Sequence, residues 1–130
     1  MARNTRTFSD IDLNFTKHPV TNDLVRKYDE EAIKQAVKSL VLTMNYERPF
    51  HSEIGAQIRG LLFEPASPMT AMLIRRSIED VVNNFEPRVR LLNVDVRYTP
   101  DTYDVTVTIV FTIVNTTRPI TVSLALTRTR

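Results

Sequence analysis

The chain has 130 residues, which suits a single domain over 1–130 that buries roughly two-thirds of its unfolded surface and leaves no room for a second domain. It has no cysteine, which excludes disulfides and thiolate metal sites, and its two histidines, His18 and His51, are too far apart for a local metal-ligand spacing. Seventeen Lys+Arg against 15 Asp+Glu give a net charge of +2, too little to make nucleic acid the expected partner.

No apolar run approaches the roughly 18 residues of a membrane span. The polar start Met1-Ala2-Arg3-Asn4-Thr5-Arg6 lacks the apolar core of a signal peptide. The expectation is a soluble, unsecreted protein with no membrane partner. Arg3 and Arg6 at the start, and Arg128 and Arg130 at the end, read as solvated termini.

In chain order, Asp10 to Phe15 alternates Ile11, Leu13 and Phe15 with Asp10, Asp12 and Asn14, the pattern of a short half-buried strand. His18-Pro19 breaks it, because the residue before proline is pushed from helical angles. Thr21, Asn22 and Asp23 supply capping side chains for a helix from about Asp23 to Met44, whose buried stripe is Ile33, Ala36, Val37, Leu40, Val41 and Met44. Asp29 to Glu31, followed by Lys34 and Lys38, suit the helix dipole and four-apart ion pairs on the solvated face.

Pro49 ends any continuation of that helix, and Ser52 is placed to cap a shorter one across Ile54, Ile58, Leu61 and Leu62. Both glycines of the chain, Gly55 and Gly60, fall here, where each costs about 1 kcal/mol relative to alanine. They imply a turn or the close approach of another backbone. Ser67-Pro68, a cap followed by a first-turn proline, starts a third helix that runs to about Phe85 and buries Ala71, Ile74, Ile78, Val81, Val82 and Phe85. Asn83-Asn84 and Pro87 stop it.

From Val89 the apolar period changes from 3.6 to 2. Leu92, Val94, Val96 and Tyr98 form one inward row; Tyr103, Val105, Val107, Ile109, Phe111 and Ile113 a second; Ile120, Val122, Leu124 and Leu126 a third. The links around Pro100 and Pro119 are short enough for hairpins. The expected fold is α+β: three helices packed on an antiparallel sheet made of a C-terminal three-strand meander plus the short N-terminal strand. The last strand has either a free edge or the N-terminal strand against it. Either arrangement leaves an outer edge open to a partner strand.

The stretch with the most concentrated signal is Glu47-Arg48-Pro49, then Glu53, Gly55 and Leu62-Phe63-Glu64-Pro65. In this order and spacing it resembles the baseplate wedge proteins of contractile-tailed bacteriophages and their counterparts in type VI secretion baseplates, a family often labelled lysozyme-like. The resemblance covers nearly the whole chain. Tyr46 stands where many members have Gly before the Glu, and Ser52 where a proline often precedes the second acidic residue.

The resemblance implies a structural subunit of the virion tail baseplate, assembled in the host cytoplasm and requiring no cofactor or metal. Its partners would be other baseplate wedge proteins, through their core helical bundle, and the tail sheath protein. It assigns wedge-core contact to Glu47, Arg48 and Pro49, a role that suits an Arg fork on a proline-stiffened loop. It assigns sheath initiation by strand exchange to the last strand, Ile120, Val122, Leu124 and Leu126, with the hairpin before it.

The alternative is a peptidoglycan-hydrolysing tail enzyme, which needs two facing carboxylates, one of them with a raised pKa. Glu47, Glu53 and Glu64 are the candidates. Glu53, read in the first turn of the short helix, is poorly placed for acid duty because the dipole favours its charged form. Glu64 lies between Phe63 and Pro65, but no second carboxylate pairs with it by spacing, and there is no Trp to build a sugar platform. Ser52 beside His51 lies in no nucleophile motif. Arg75, Arg76, Arg88, Arg90 and Arg97 lack interleaved aromatics and read as surface or subunit-contact arginines.

Overall fold

The computed structural model describes residues 8–99, 101–102, 104–114 and 116–127. Tyr103 and the arginines at positions 3, 6, 128 and 130 lie outside them. The elements run β1 (Ser9–Ile11), β2 (Arg26–Tyr28), α1 (Asp29–Leu42), α2 (Ile58–Leu62), α3 (Pro68–Phe85), β3 (Val89–Tyr98), β4 (Val105–Ile113) and β5 (Pro119–Leu126). This is the expected α+β class, with three helices and antiparallel strands. The contacts divide into two compact units, with the boundary inside α1 between Ala36 and Val37.

In the first unit the structure corrects two expectations. The helix begins at Asp29, not Asp23, because Arg26–Tyr28 pairs antiparallel with Ser9–Ile11. Periodicity locates the buried stripe of a helix but not where it starts: a distant strand claims Arg26–Tyr28, and the residues just before them form the turn that leads into that strand. Thr21, Asn22 and Asp23 instead close the hairpin: His18 N–H donates to the Asp23 carbonyl at 2.7 Å, Asn22 N–H donates to the His18 carbonyl at 3.0 Å, and Asn22 has φ 56. The His18 ring accepts the Val20 and Thr21 amides through Nδ1, which gives this histidine a structural task.

The inward row expected for the first strand is also inverted. Ile11, Leu13 and Phe15 are exposed, and Asp12 is buried. The two-stranded sheet β1-β2 is separate from the C-terminal one, so β1 does not close the meander. Asp12 is held by the Asn14 amide at 3.2 Å and by Lys27 Nζ at 3.4 Å. The Gln35 side chain on α1 clamps the hairpin, donating to the Ile11 carbonyl at 2.7 Å and accepting the Leu13 amide at 3.3 Å.

The Thr16 hydroxyl, then the Asn14 amide and Lys27, hold the Asp12 carboxyl below its ordinary value of 3.8. A carboxyl whose pKa is depressed by folding contributes stability in full above that value and loses it as pH falls through the folded pKa. Amide exchange at Asn14 and Val25 should therefore accelerate as pH drops below 3.8, after correction for the intrinsic rate, and Asp12→Asn should remove this pH dependence.

The second unit is built on α3 and the meander β3-β4-β5. Ser67 caps α3 through the Thr70 amide at 3.1 Å with Pro68 in the first turn, as the sequence predicts. Ile74, Ile78, Val81 and Val82 form its buried face, and β3 packs against the helix. Register aligns the sheet's inward residues in cross-strand rows: Leu91–Phe111–Ile120, Val94–Ile109–Val122 and Val96–Val107–Leu124. β4, in the centre, carries the four buried residues Val105, Val107, Ile109 and Phe111.

Leu92 is the exception to the predicted rows. The pairing shifts between Leu91 and Asn93, and this extra residue turns Leu92 outward, leaving it 54% exposed while Leu91 takes the inward place. A bulge reverses the parity of every side chain before it, so strict alternation traced back from Val94 fails there.

Candidate functional site

The chain between α1 and α2 is irregular. α2 starts only at Ile58, after Gln57 and without a side-chain cap, so Ser52 caps no helix and Glu53 lies in a turn. Two successive turns shape this loop. Glu47 N–H donates to the Met44 carbonyl at 3.2 Å, and His51 N–H donates to the Arg48 carbonyl at 3.3 Å. Each has its third residue at positive φ, Tyr46 at 69 and Phe50 at 66, and Pro49 fixes the second position of the latter; this is the pattern of type II turns.

The base is tied by Tyr46 N–H to the Ser52 carbonyl at 3.0 Å and by Ala56 N–H to the Thr43 carbonyl at 2.9 Å. Gly55, at φ 131, lies flat against the end of α1: a Cβ there would come within 2.6 Å of the Met44 carbonyl carbon. The expectation of close backbone approach is met at this glycine. It fails at Gly60, where a Cβ would meet nothing within 4 Å.

The structure separates the roles of the three residues singled out in the sequence. Glu47 is exposed, yet its carboxylate is engaged within the loop, Oε2 accepting the Met44 amide at 2.8 Å. Arg48 is exposed and makes no ion pair among the described residues. Pro49 and Phe50 are exposed beside it. The loop therefore offers a guanidinium to solvent, while its neighbouring carboxylate serves the loop's own backbone.

Sequence reasoning missed the exposure of Tyr46 and Phe50, which are 82% and 100% accessible. The signal available was two aromatics four residues apart around Glu47-Arg48-Pro49.

The carboxylates considered for hydrolysis do not form a facing pair among the bonds of this structure. Glu47 is engaged as described, Glu64 is exposed just beyond α2, and Glu53 is exposed with His51 Nδ1 at 3.4 Å. The Glu53 backbone amide and then the His51 ring hold its carboxyl below the ordinary range, which favours the charged form and opposes acid duty. The correction to its position changes the cause but not the direction.

Three of the arginines read as surface or contact residues are engaged in ion pairs. Arg75 pairs with Glu79 at 2.9 Å, Arg97 with Asp95 at 2.7 Å, and Arg88 grips Glu86 with two bonds of 2.6 and 2.8 Å.

The sheet has two outer strands that differ in protection. β3 carries the bulge, Arg90 and the Asp95–Arg97 ion pair, devices that blunt an edge. β5 pairs with β4 through eight successive residues without interruption, and its sequence Pro119-Ile120-Thr121-Val122-Ser123-Leu124-Ala125-Leu126 holds no charge. Ile120, Val122, Leu124 and Leu126 are buried and anchor the strand, while Thr121, Ser123 and Ala125 are exposed. Beyond its end lies a groove of about 620 Å³ lined by Val41, Ile58, Leu62, Phe63 and Leu126.

Fold and site together define a small α+β protein whose distinctive surfaces are a stiffened, exposed loop and an outer strand, β5, that pairs only with β4 among the described residues, surfaces suited to an assembly component. The family model for baseplate wedge protein gp25 matches residues 27–118. The baseplate wedge protein gp25 of Enterobacteria phage T4 is 34% identical over 115 residues, covering 88% of this chain and 86% of that protein.

Among solved structures, a protein of Geobacter sulfurreducens described as a candidate tail lysozyme superposes with a TM-score of 0.69 at 20% identity, over 78% of this chain and 92% of its own. A chain of the anti-feeding prophage baseplate superposes with a TM-score of 0.66 at 17% identity, over 95% of this chain and 87% of its own. At these identities the two structures establish the fold. The chain belongs to the baseplate wedge protein gp25 family and is a structural baseplate component of a contractile tail.

Proposed function

We propose that this subunit docks on the helical core of the baseplate wedge through Arg48, on a loop held by Glu47, Pro49 and Gly55, and that the open edge of β5 accepts a strand of the sheath protein to start sheath assembly. The observation that carries the docking half is the exposed, unpaired Arg48 beside a Glu47 committed to the Met44 amide. A guanidinium on a rigid turn meets carboxylates or helix-end carbonyls of a bundle with little ordering cost. Assembly would take place in the host cytoplasm and end in the virion tail baseplate, without nucleic acid, membrane, cofactor or catalysis by Glu47, Glu53 or Glu64.

Arg48→Ala should weaken binding to the purified wedge-core proteins about 30-fold or more, the usual loss when one partner of a buried charge pair is removed. Circular dichroism and Tm should match the wild type, because the Arg48 side chain makes no ion pair among the described residues and alanine keeps its backbone bond to His51. Unchanged incorporation into baseplates would remove the assignment.

The strand-exchange half rests on the contrast between the guarded edge of β3 and the uncharged, uninterrupted β5. Main-chain bonds would supply affinity, and the groove beyond Leu126 would receive an apolar side chain of the incoming segment. Ile120, Val122, Leu124 and Leu126 then act from beneath by fixing the strand. Ser123→Lys should leave the fold intact, since Ser123 is exposed, yet stop sheath polymerisation on assembled baseplates by guarding the edge with a charge. Normal sheath length on this variant would count against the edge.

A further inference from the structure

Tyr46 and Phe50 occupy the least favourable places for aromatic side chains in the loop. Both stand third in a turn that requires positive φ, at 69 and 66, where glycine or asparagine fits without strain. A Cβ in the left-handed region costs energy, and a bulky residue meets that cost only if its side chain gains something in return. Neither gains it within the fold. Tyr46 is 82% and Phe50 100% exposed, so no packing compensates the backbone. They bracket Arg48, which is itself unpaired among the described residues, and the Tyr46–Ser52 and Arg48–His51 backbone bonds hold the segment in shape.

Stiff backbone, two solvent-facing rings and a free guanidinium between them reproduce the composition of a binding hot spot, in which aromatics and arginine dominate the energy. We propose that Tyr46 and Phe50 are the anchors of the docking loop, seated in apolar recesses on a neighbouring wedge protein whose intervening rim presents a carboxylate to Arg48. The inference rests on the docking reading of Arg48 and adds the apolar half of the contact. The docking reading supplies the wedge core as the occupant, and the loop's chemistry says what its surface must offer: two rings flanking one cation match paired apolar hollows with an acidic residue between them. The strain stored in the free subunit is offset on docking, when the rings leave water.

The test measures Tm and affinity for the purified wedge-core bundle of the same tail, using wild type, Arg48→Ala, Tyr46→Gly, Phe50→Gly and the double glycine variant. The proposal expects Tyr46→Gly and Phe50→Gly to bind at least tenfold more weakly, and the double variant to lose measurable binding, with Tm unchanged or raised because glycine relieves the turns. Full affinity in both glycine variants alongside loss in Arg48→Ala would overturn the aromatic anchors and leave the arginine contact standing. Full affinity in all variants would overturn both. Weak binding accompanied by a lowered Tm would assign the rings to the loop's own architecture and also overturn the proposal.

Discussion

Gly55→Ala lowers the stability of the second unit by about 3 kcal/mol or more, the sum of a left-handed-region penalty and overpacking against rigid atoms. The added methyl would stand 2.6 Å from the Met44 carbonyl carbon and 2.7 Å from the carbonyl oxygens of Thr43 and Met44. These are backbone atoms at the end of α1, so no flexible side chain can yield. The Ala56 to Thr43 bond at 2.9 Å must lengthen or break.

On the proposed role of Arg48 the variant should also lose docking, because the same bond ties down the loop that carries it. Urea titration of the isolated protein should show the loss of stability, and baseplate incorporation should fall with it. Gly60→Ala is the matched control: its Cβ meets nothing within 4 Å and lies in a helix, so it should be neutral or slightly stabilising. Equal midpoints for the two variants would contradict the packing described at Gly55.

Phe111→Ala costs about 3–5 kcal/mol, the range for removing a fully buried aromatic from a core. Phe111 is the largest fully buried side chain among the described residues, and it sits on the central strand between Leu91 and Ile120. Both flanking strands lose their contact at once, and β4 cannot shift to fill the space because it is bonded on both sides. The denaturant midpoint should drop with the slope of the transition unchanged. Phe50→Ala, removing the same ring from a fully exposed position, should leave the midpoint where it is. Equal losses at the two positions would mean that burial is not what distinguishes them.

Much of this molecule could be read before folding. Ser67-Pro68 marks the start of α3 because a side-chain cap and a proline at the first turn act within a few residues. The inward rows of β4 and β5 follow from period-two alternation, since both strands pair without interruption. The Glu47-Arg48-Pro49 stretch announced the loop because its backbone exceptions are local.

Other features were hidden because their causes lie far away along the chain. The residues from 23 to 28 look like the beginning of α1, yet strand pairing with Ser9–Ile11 claims the last three of them. Leu92 turns outward because β3 accommodates one more residue than its partner at that point, an adjustment that no pattern within β3 records. Buried Asp12 and exposed Ile11, Leu13 and Phe15 reverse the usual reading of alternation. The Thr16, Asn14 and Lys27 contacts that stabilise the buried carboxylate exist only once the hairpin closes.

At the loop around Glu47-Arg48-Pro49 the division is finest. Residue types named the segment, since proline, glycine and a charged pair have short-range consequences for a backbone. Only the folded chain decided that the Glu47 carboxylate binds the Met44 amide while Arg48 stays unengaged among the described residues, that Gly55 seals the base, and that two aromatics occupy strained, solvent-facing positions. Each of those outcomes depends on which backbone atoms lie within a few ångströms, and that proximity is set by α1 ending where it does and the chain doubling back against it.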